Sequence, residues 1–419
     1  MRVFEERAHR LYLQLGLFDL ALADLRQAFE LQRPVDASSW HTLALLQVHA
    51  GDGEAALRRY AIQFGDLADG ALLFVERNAL RRELDALGRD DRVRLERVAA
   101  RIVRFAEAQR ASITPVDVAI EGGRAGHRLV PVASAGCYAP GGRHPLPSTV
   151  LMTALTARTA GVGRIVVASP RPTRLVMAAA AIAGADVLIS AGGPAAIAAL
   201  AYGAGPSGAC AVVCGPGNRY VTAAKYCVSR DVAIDMLAGP SELVIVADDG
   251  ADPGRVAADL IAQAEHDTDA LPILVALPGV DVERVRAAIV EQLADLPTAD
   301  VARDSLSRRG GTVRVGDLDA AVRAVDAIAP EHLSLQVCDA RSMAERFRNY
   351  GGLFVGGASN EALGDYGAGP NHTLPTGGTA RGRGGLSVFT FLLARTWLEV
   401  DGAALDGHLA DDVRWLARA

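Results

Sequence analysis

Three short stretches carry residues able to do chemistry together. In "DLIAQAEHDTDA" (259–270), Gln263 and His266 stand three apart on an amphipathic pattern, which makes them neighbours on one helix face. In "GDYGAGPNH" (364–372), a glycine-rich loop carries Asp365 and His372. In "IAPEHLSL" (328–335), Glu331 and His332 are adjacent and follow Pro330 at a helix end. Gln263, His266 and Asp365 together offer nitrogen and oxygen donors suited to zinc. Glutamine is an uncommon zinc ligand, so spacing alone leaves a metal site and a solvated helix end both open. A histidine titrates near neutrality and can move protons, and a neighbouring carboxylate can activate water. A single Glu-His pair is also common as polar surface.

Further stretches have the form of ligand loops. "CGPGNRY" (214–220) follows a strand and precedes a helix. Its glycines allow a tight turn whose N–H groups, with the helix N-terminus, favour an anion. It is not the G-x-G-x-x-G pattern, and a plain βα turn reads equally well. "GCYAPGGRHPLPS" (136–148) places Tyr138 where its ring can lie against a flat ligand, or serves as a rigid connector. "AGPSE" (238–242) sets Ser241 just before a strand, for a ligand contact or a turn.

The elements that must position these residues alternate in type. Strands at 164–170, 186–190 and 209–214 are separated by helices at 173–184 and 195–203. The pattern restarts after 240: strand "ELVIVAD", helix 251–266, strand "PILVAL", helix 281–295, strand "TVRV", helix 317–328 and strand "GLFVGG". Such alternation means βαβ units on parallel sheets. The expected fold is α/β, with two Rossmann-like parallel-sheet domains and helical N-terminal and C-terminal extensions. The expected boundaries are 1–110 (helical), 111–238 and 239–376 (the two sheets), and 377–419 (helices after a glycine-rich stretch). Residues 111–135 read as short strands leading into the first sheet domain. Two N-terminal pieces align at an offset of 35, too few units for a helical solenoid.

Composition excludes several classes. The chain has 419 residues, is half hydrophobic, and carries a net charge of −6, which gives no basic face for nucleic acid. No apolar run reaches the roughly 18 residues of a membrane span. The N-terminus lacks the apolar core of a secretory signal. Five cysteines without a Cys-x-x-Cys pair read as reduced thiols, so a cytoplasmic protein is expected.

Seven ordered blocks resemble the histidinol dehydrogenase family over about residues 50–400: "CYAPGGRHPLPSTVLMTALTARTAGV", "GPGNRYVTAAKYCVS", "IDMLAGPSELVIVAD", "AADLIAQAEHD", "APEHLSL", "GDYGAGPNHTLPT" and "GGLSVFTF". The resemblance implies two Rossmann-like domains with smaller helical extensions and an intertwined homodimer. It implies oxidation of L-histidinol to the aldehyde and on to L-histidine, with reduction of two NAD. Gln263, His266 and Asp365 match zinc ligands that hold the substrate's amino and imidazole nitrogens. His332 matches the base that takes the alcohol proton, and Glu331 the residue that activates water. Ser241 and His372 match substrate contacts, as do the three zinc ligands and His332, while Tyr138 and Asn218 match NAD contacts.

The sequence also departs from the family. Ala195 stands where the family has a glutamine that contacts NAD, a hydrogen bond of about 0.5–1.5 kcal/mol. The family's Glu-x-Leu-x-x-His, which completes the zinc site of the partner subunit, would fall near position 424 by counting from Gly385, beyond Ala419. His408 lies in the preceding helix and is not assigned to that role. Residues 1–50 carry little of the resemblance. These departures keep open a relative acting on another amino alcohol or polyol, or a catalytically impaired homologue. The joint presence of Glu331, His332, Gln263, His266 and Asp365 argues against the latter.

Overall fold

The computed structural model describes residues 53–68, 70–141, 145–402 and 407–419. The first 52 residues of the expected helical region 1–110, and with them the first of the two pieces offset by 35, lie outside them. Two of the three sheets share one topology. The first contains β1 (Phe74–Glu76), β4 (Ser134–Tyr138), β5 (Arg164–Ala168), β6 (Val187–Ile189), β7 (Val212–Cys214) and β8 (Ala233–Ile234). Its order is β1-β6-β5-β4-β7-β8, parallel except for β1 at the edge. The second contains β9 (Glu242–Ala247), β10 (Leu271–Ala276), β11 (Gly311–Arg314), β12 (His332–Gln336) and β13 (Gly352–Val355). It is parallel throughout, in the order β11-β10-β9-β12-β13. In each the first parallel strand lies in the middle, the next two to one side and the last two to the other, the doubly wound arrangement.

Helices cover both faces of each sheet, so the central strands are buried on both sides and read as continuous apolar runs. β9 is buried at all six positions. On the first sheet, Leu95, Ala99 and Ile102 of the helix Arg89–Ala111 pack with Leu151 and Val176 on one face. Leu57, Ile197, Leu200 and Val221 fill the other. On the second, Val256 and Leu260 cover one face and Ala321 and Val325 the other. Side-chain caps start several of these helices: Thr173 accepts from Val176 N, Asn218 from Tyr220 N and Val221 N, and Asp252 from Gly254 N and Arg255 N.

The segment after 377 corrects the expectation of a helical C-terminal extension. Leu392–Val400 is a nine-residue strand, β14, and a helix follows only at His408–Leu416. β14 pairs antiparallel with β3 (Gly123–Pro131), which pairs with β2 (Val116–Ile120). The run "LLARTWLEV" has no strong strand alternation; its partner β3 decides its state. β2 and β3 therefore build a separate sheet, and the first doubly wound sheet begins its parallel run at β4. The structure adds a helix, Ala299–Arg308, between β10 and β11.

Candidate active site

The polar residues converge at the amino ends of β9 and β12. His332 opens β12 and Glu331 precedes it, while Ser241 and Glu242 stand at the start of β9 in the neighbouring strand. Two glutamates lock these strand ends together. Glu242 N donates to Glu331 Oε2 at 3.0 Å, and Glu331 N donates to Glu242 Oε2 at 3.3 Å. Gly377 N donates to Glu242 Oε1 at 3.0 Å, so Glu242 is held by backbone on both oxygens. Ser241 is half-buried, and its carbonyl accepts from Leu271 N at 2.9 Å.

His332 is the hub. Its Nδ1 lies 3.1 Å from Gln263 Oε1 and 3.4 Å from Glu361 Oε2. Its Nε2 lies 3.0 Å from His372 Nε2 and 3.8 Å from Glu331 Oε1. His372 Nε2 is in turn 3.4 Å from Asp365 Oδ1. The two imidazoles stack with centroids 4.6 Å apart, and Phe354 packs on both at about 6 Å. Two acceptors face Nδ1, so Nδ1 carries the proton of the neutral ring, and Nε2 keeps its lone pair. Gly364 makes room for this stack: a β-carbon there would stand 2.3 Å from His372 Nδ1.

The helix Pro253–Ala264 brings Gln263 into the pocket fully buried, its Nε2 without a hydrogen-bond partner among the described residues. His266 follows the helix end and is exposed at the rim, close enough to act electrostatically on His332 and His372. Asp365 ends the short helix Glu361–Asp365, and His372 lies in the loop after it, which is anchored to the first domain. Asn371 Nδ2 donates to Met152 O at 2.8 Å, and Arg101 Nε donates to Gly367 O at 2.8 Å.

Burial dominates the electrostatics. It pushes His332 well below the usual imidazole range, with His372 and His266 adding to the effect, and lowers His372 as well. It pushes the Glu331 carboxyl well up, aided by the carboxylates of Glu242, Glu361 and Asp365. Glu361 is pushed up to about 9 by burial and by Asp365 and Asp259. The pocket thus gathers several acids with no lysine or arginine ion-paired to them among the described residues.

That imbalance is the test of fit for a cation. A buried amide oxygen, an imidazole and a carboxylate are donors of the right chemistry for zinc, and Glu331, Glu361 and Asp365 converge with no lysine or arginine ion-paired to them among the described residues. Gln263, His332, His372 and Asp365 form a continuous chain of contacts, with His266 beside it. Among the described residues, the trio of His, Cys, Asp or Glu whose donor atoms lie mutually within 4.8 Å is a different one, Asp248, Asp249 and Cys338. It lies on the surface, and Asp248 pushes the Cys338 thiol up, which opposes the thiolate a metal needs.

The other sequence-predicted residues sit in the first sheet. Tyr138 ends β4, is buried, and its Oη accepts from Gly193 N at 3.2 Å. Asn218 is exposed and caps the helix Arg219–Val228 through Oδ1. Both stand at the carboxyl ends of β4 and β7, where the strand order reverses, the usual crevice for a nucleotide. Gly215, at φ +118°, lets the loop approach Tyr138 O, where a β-carbon would lie 2.0 Å away. A buried ion pair that sequence reasoning missed holds this glycine. Lys225 and Asp235 contact each other with side chains 1% exposed. Lys225 Nζ donates to Gly215 O at 3.0 Å, and Gly215 N donates to Asp235 Oδ2 at 2.8 Å. Ala195 packs into the core beneath this crevice. Nearby, a cavity of about 550 Å³ opens between Asp66, Arg171, Met177 and Ser190.

Glu361, Glu242 and Phe354 were also missed. Glu361 begins a five-residue helix, Glu361–Asp365, too short to show periodicity. Glu242 and Phe354 lie in runs that read as ordinary strands.

Two doubly wound sheets, with a glycine loop at the switch point of one and a histidine–carboxylate pocket on the other, define an α/β protein built of two like halves. Comparisons with known proteins are specific. The histidinol dehydrogenase family profile matches residues 44–419. Histidinol dehydrogenase of Burkholderia lata is 38% identical over 405 residues, covering 94% of this chain and 92% of that protein. The Thermus thermophilus enzyme of the same name is 45% identical over 351 residues, covering 83% of each. The crystal structure of histidinol dehydrogenase from Elizabethkingia anophelis matches with a TM-score of 0.84 at 30% identity, covering 92% of this chain and 90% of that one. The chain belongs to the histidinol dehydrogenase family and is an oxidoreductase.

Proposed function

We propose that the protein oxidises L-histidinol to L-histidine through the aldehyde, with two NAD as oxidants and a zinc ion held by Gln263, His266 and Asp365. In this reading residues 111–238 bind the cofactor through Tyr138 and Asn218. Residues 239–376 hold the metal and the substrate, with Ser241 and His372 as further substrate contacts. The observation that carries the reading is the orientation of His332: Nδ1 faces two acceptors, and Nε2 points to His372 with Glu331 Oε1 beside it.

NAD, held through Tyr138 and Asn218, would supply the hydride acceptor, and zinc, held by Gln263, His266 and Asp365, would supply positive charge for the nitrogens of the substrate. His332 Nε2 takes the hydroxyl proton as the first hydride leaves. Burial keeps His332 neutral near pH 7 and so ready to act as a base. Glu331 takes a proton from the water that adds to the aldehyde; its Oε1 is free of the backbone bond that holds Oε2. An acid whose proton is held this tightly is a correspondingly strong base once it is lost. The hydrated aldehyde then gives up the second hydride. The sum is one alcohol, one water and two NAD⁺ giving one carboxylate, two NADH and three protons.

A homodimer suits the exposed apolar side chains Val118, Leu398, Val413, Trp415 and Leu416 on the third sheet and the last helix. A cytoplasmic setting suits the five free thiols. Among the described residues no helix is long and apolar enough to cross a membrane. The test is an assay of NADH formation from L-histidinol beside a panel of amino alcohols and polyols, on protein whose zinc content is measured. About one zinc per chain and turnover of L-histidinol are expected. Turnover of another member of the panel alone would reassign the substrate.

A further inference from the structure

Glu361 is a buried carboxylate that none of the roles above uses. It is 5% exposed, and neither oxygen has a hydrogen-bond partner among the described residues. An unpartnered buried carboxylate is costly and calls for an explanation. Glu242, in the same pocket, shows what a structural acid looks like there: backbone N–H groups of Gly377 and Glu331 occupy both its oxygens. Glu361 has none of these, and Oε2 stands 3.4 Å from His332 Nδ1.

We propose that Glu361 is the positioning residue of His332, the acceptor that holds Nδ1–H and keeps Nε2 as the base facing the substrate. The inference rests on the base role given to His332 above. In this structure Nδ1–H is directed at Gln263 Oε1, 3.1 Å away, with Glu361 just behind in reach. Gln263 is also a ligand in the proposed metal site. Once its oxygen serves a cation, Glu361 is the acceptor left facing Nδ1. Once ionised, Glu361 there fixes the tautomer and the ring plane, and it stabilises the imidazolium formed when Nε2 takes the alcohol proton. The same logic joins acid, histidine and hydroxyl in hydrolytic triads. The short helix Glu361–Asp365 makes the coupling compact: its first residue faces one edge of His332, while Asp365, its last, faces His372 on the other.

The test uses full-length zinc-loaded protein carrying Glu361→Gln or Glu361→Asp. For E361Q, kcat should fall roughly 10- to 10²-fold, with KM within about threefold and zinc content unchanged. E361D, which keeps the charge, should recover most of that loss. Independently of activity, ¹⁵N NMR of histidine-labelled protein should show His332 as the Nδ1–H tautomer in the wild type and as a mixture in E361Q, the signal being assigned by its loss in H332N. Thermal melts establish that each variant is folded, and E361D carries the test if E361Q is not. Unchanged kcat and tautomer in E361Q would overturn the proposal. So would lost zinc or raised KM at constant kcat, which would make Glu361 a binding residue. If wild-type protein ignores L-histidinol while the tautomer still responds to E361Q, the substrate reading fails and the positioning role stands.

Discussion

The parallel strands of the two doubly wound sheets follow the same order, but their candidate site residues gather at opposite ends. In the first, the helices Gly193–Tyr202 and Arg219–Val228 begin at the carboxyl ends of the strands, beside Tyr138 and Gly215. Helix N-termini carry partial positive charge, which suits the phosphates of a dinucleotide. In the second, the candidate site residues gather at the amino ends of β9 and β12, where the helix Pro253–Ala264 finishes one residue past Gln263. A helix C-terminus carries partial negative charge, which suits a cation or an imidazolium. The carboxyl end of the second sheet carries Asp248, Asp249 and Cys338. A duplicated fold thus provides two ends of opposite polarity, one fitted to an anionic cofactor and the other to cationic chemistry.

Substitutions at each end should separate these roles. His332→Asn, at the amino end of the second sheet, should cut NADH formation by roughly 10²–10⁴-fold while NAD binding by calorimetry is kept; undiminished turnover would remove His332 from the base role. Lys225→Met, beneath the glycine loop of the first sheet, leaves Asp235 unpaired and should cost about 3–5 kcal/mol in urea unfolding. The same variant should weaken NAD binding and spare zinc content; loss of zinc instead would break the division between the ends. Gly364→Ala places a methyl against the His372 ring and should lower kcat/KM by up to about 10²-fold with little change in the urea midpoint.

A pH-dependent contrast is expected of Asp259. Burial pushes its carboxyl up to about 6, against the pull of the Gln336 hydrogen bond. The folded state therefore holds this proton more tightly than the unfolded chain, whose aspartate titrates near 3.9. The favourable contribution is full below that pH and is lost as pH rises through about 6. The melting temperature of metal-free wild type should fall relative to Asp259→Asn over that window, and a constant offset would contradict it. The smallest effect is expected from Ala195→Gln, which should tighten NAD binding by about 0.5–1.5 kcal/mol if the crevice takes the side chain. An unchanged affinity would show that the buried position of Ala195 keeps position 195 away from the cofactor.

How much of this was legible from residues alone depended on whether local pattern or distant packing decides the state. β5, β6, β9 and β10 are apolar runs between turn signals, and their helices show clear three-and-four spacing, so both sheets were readable. β12 was not, because "HLSLQ" mixes polar with apolar residues, and neither was β4, whose last residues, Gly136–Tyr138, read as the start of a glycine- and proline-rich loop. β14 was not, because β3 confers its strand state from some 270 residues away in sequence. Gln263, Asp365 and the Glu331–His332 pair stood out as polar residues in apolar or glycine-rich surroundings. Glu361, Phe354 and the Lys225–Asp235 pair have no local signature, since their roles exist only through contacts made by folding.

The most direct measurement is the stoichiometry and location of the chemistry in one assay. Zinc-loaded wild-type protein with limiting L-histidinol and excess NAD should yield two NADH per histidinol. His332→Asn, at the same zinc content and with NAD still bound, should yield almost none on the same timescale. Equal NADH from both proteins would place the chemistry away from the amino end of β12, and no NADH from zinc-loaded wild type would contradict the proposed reaction.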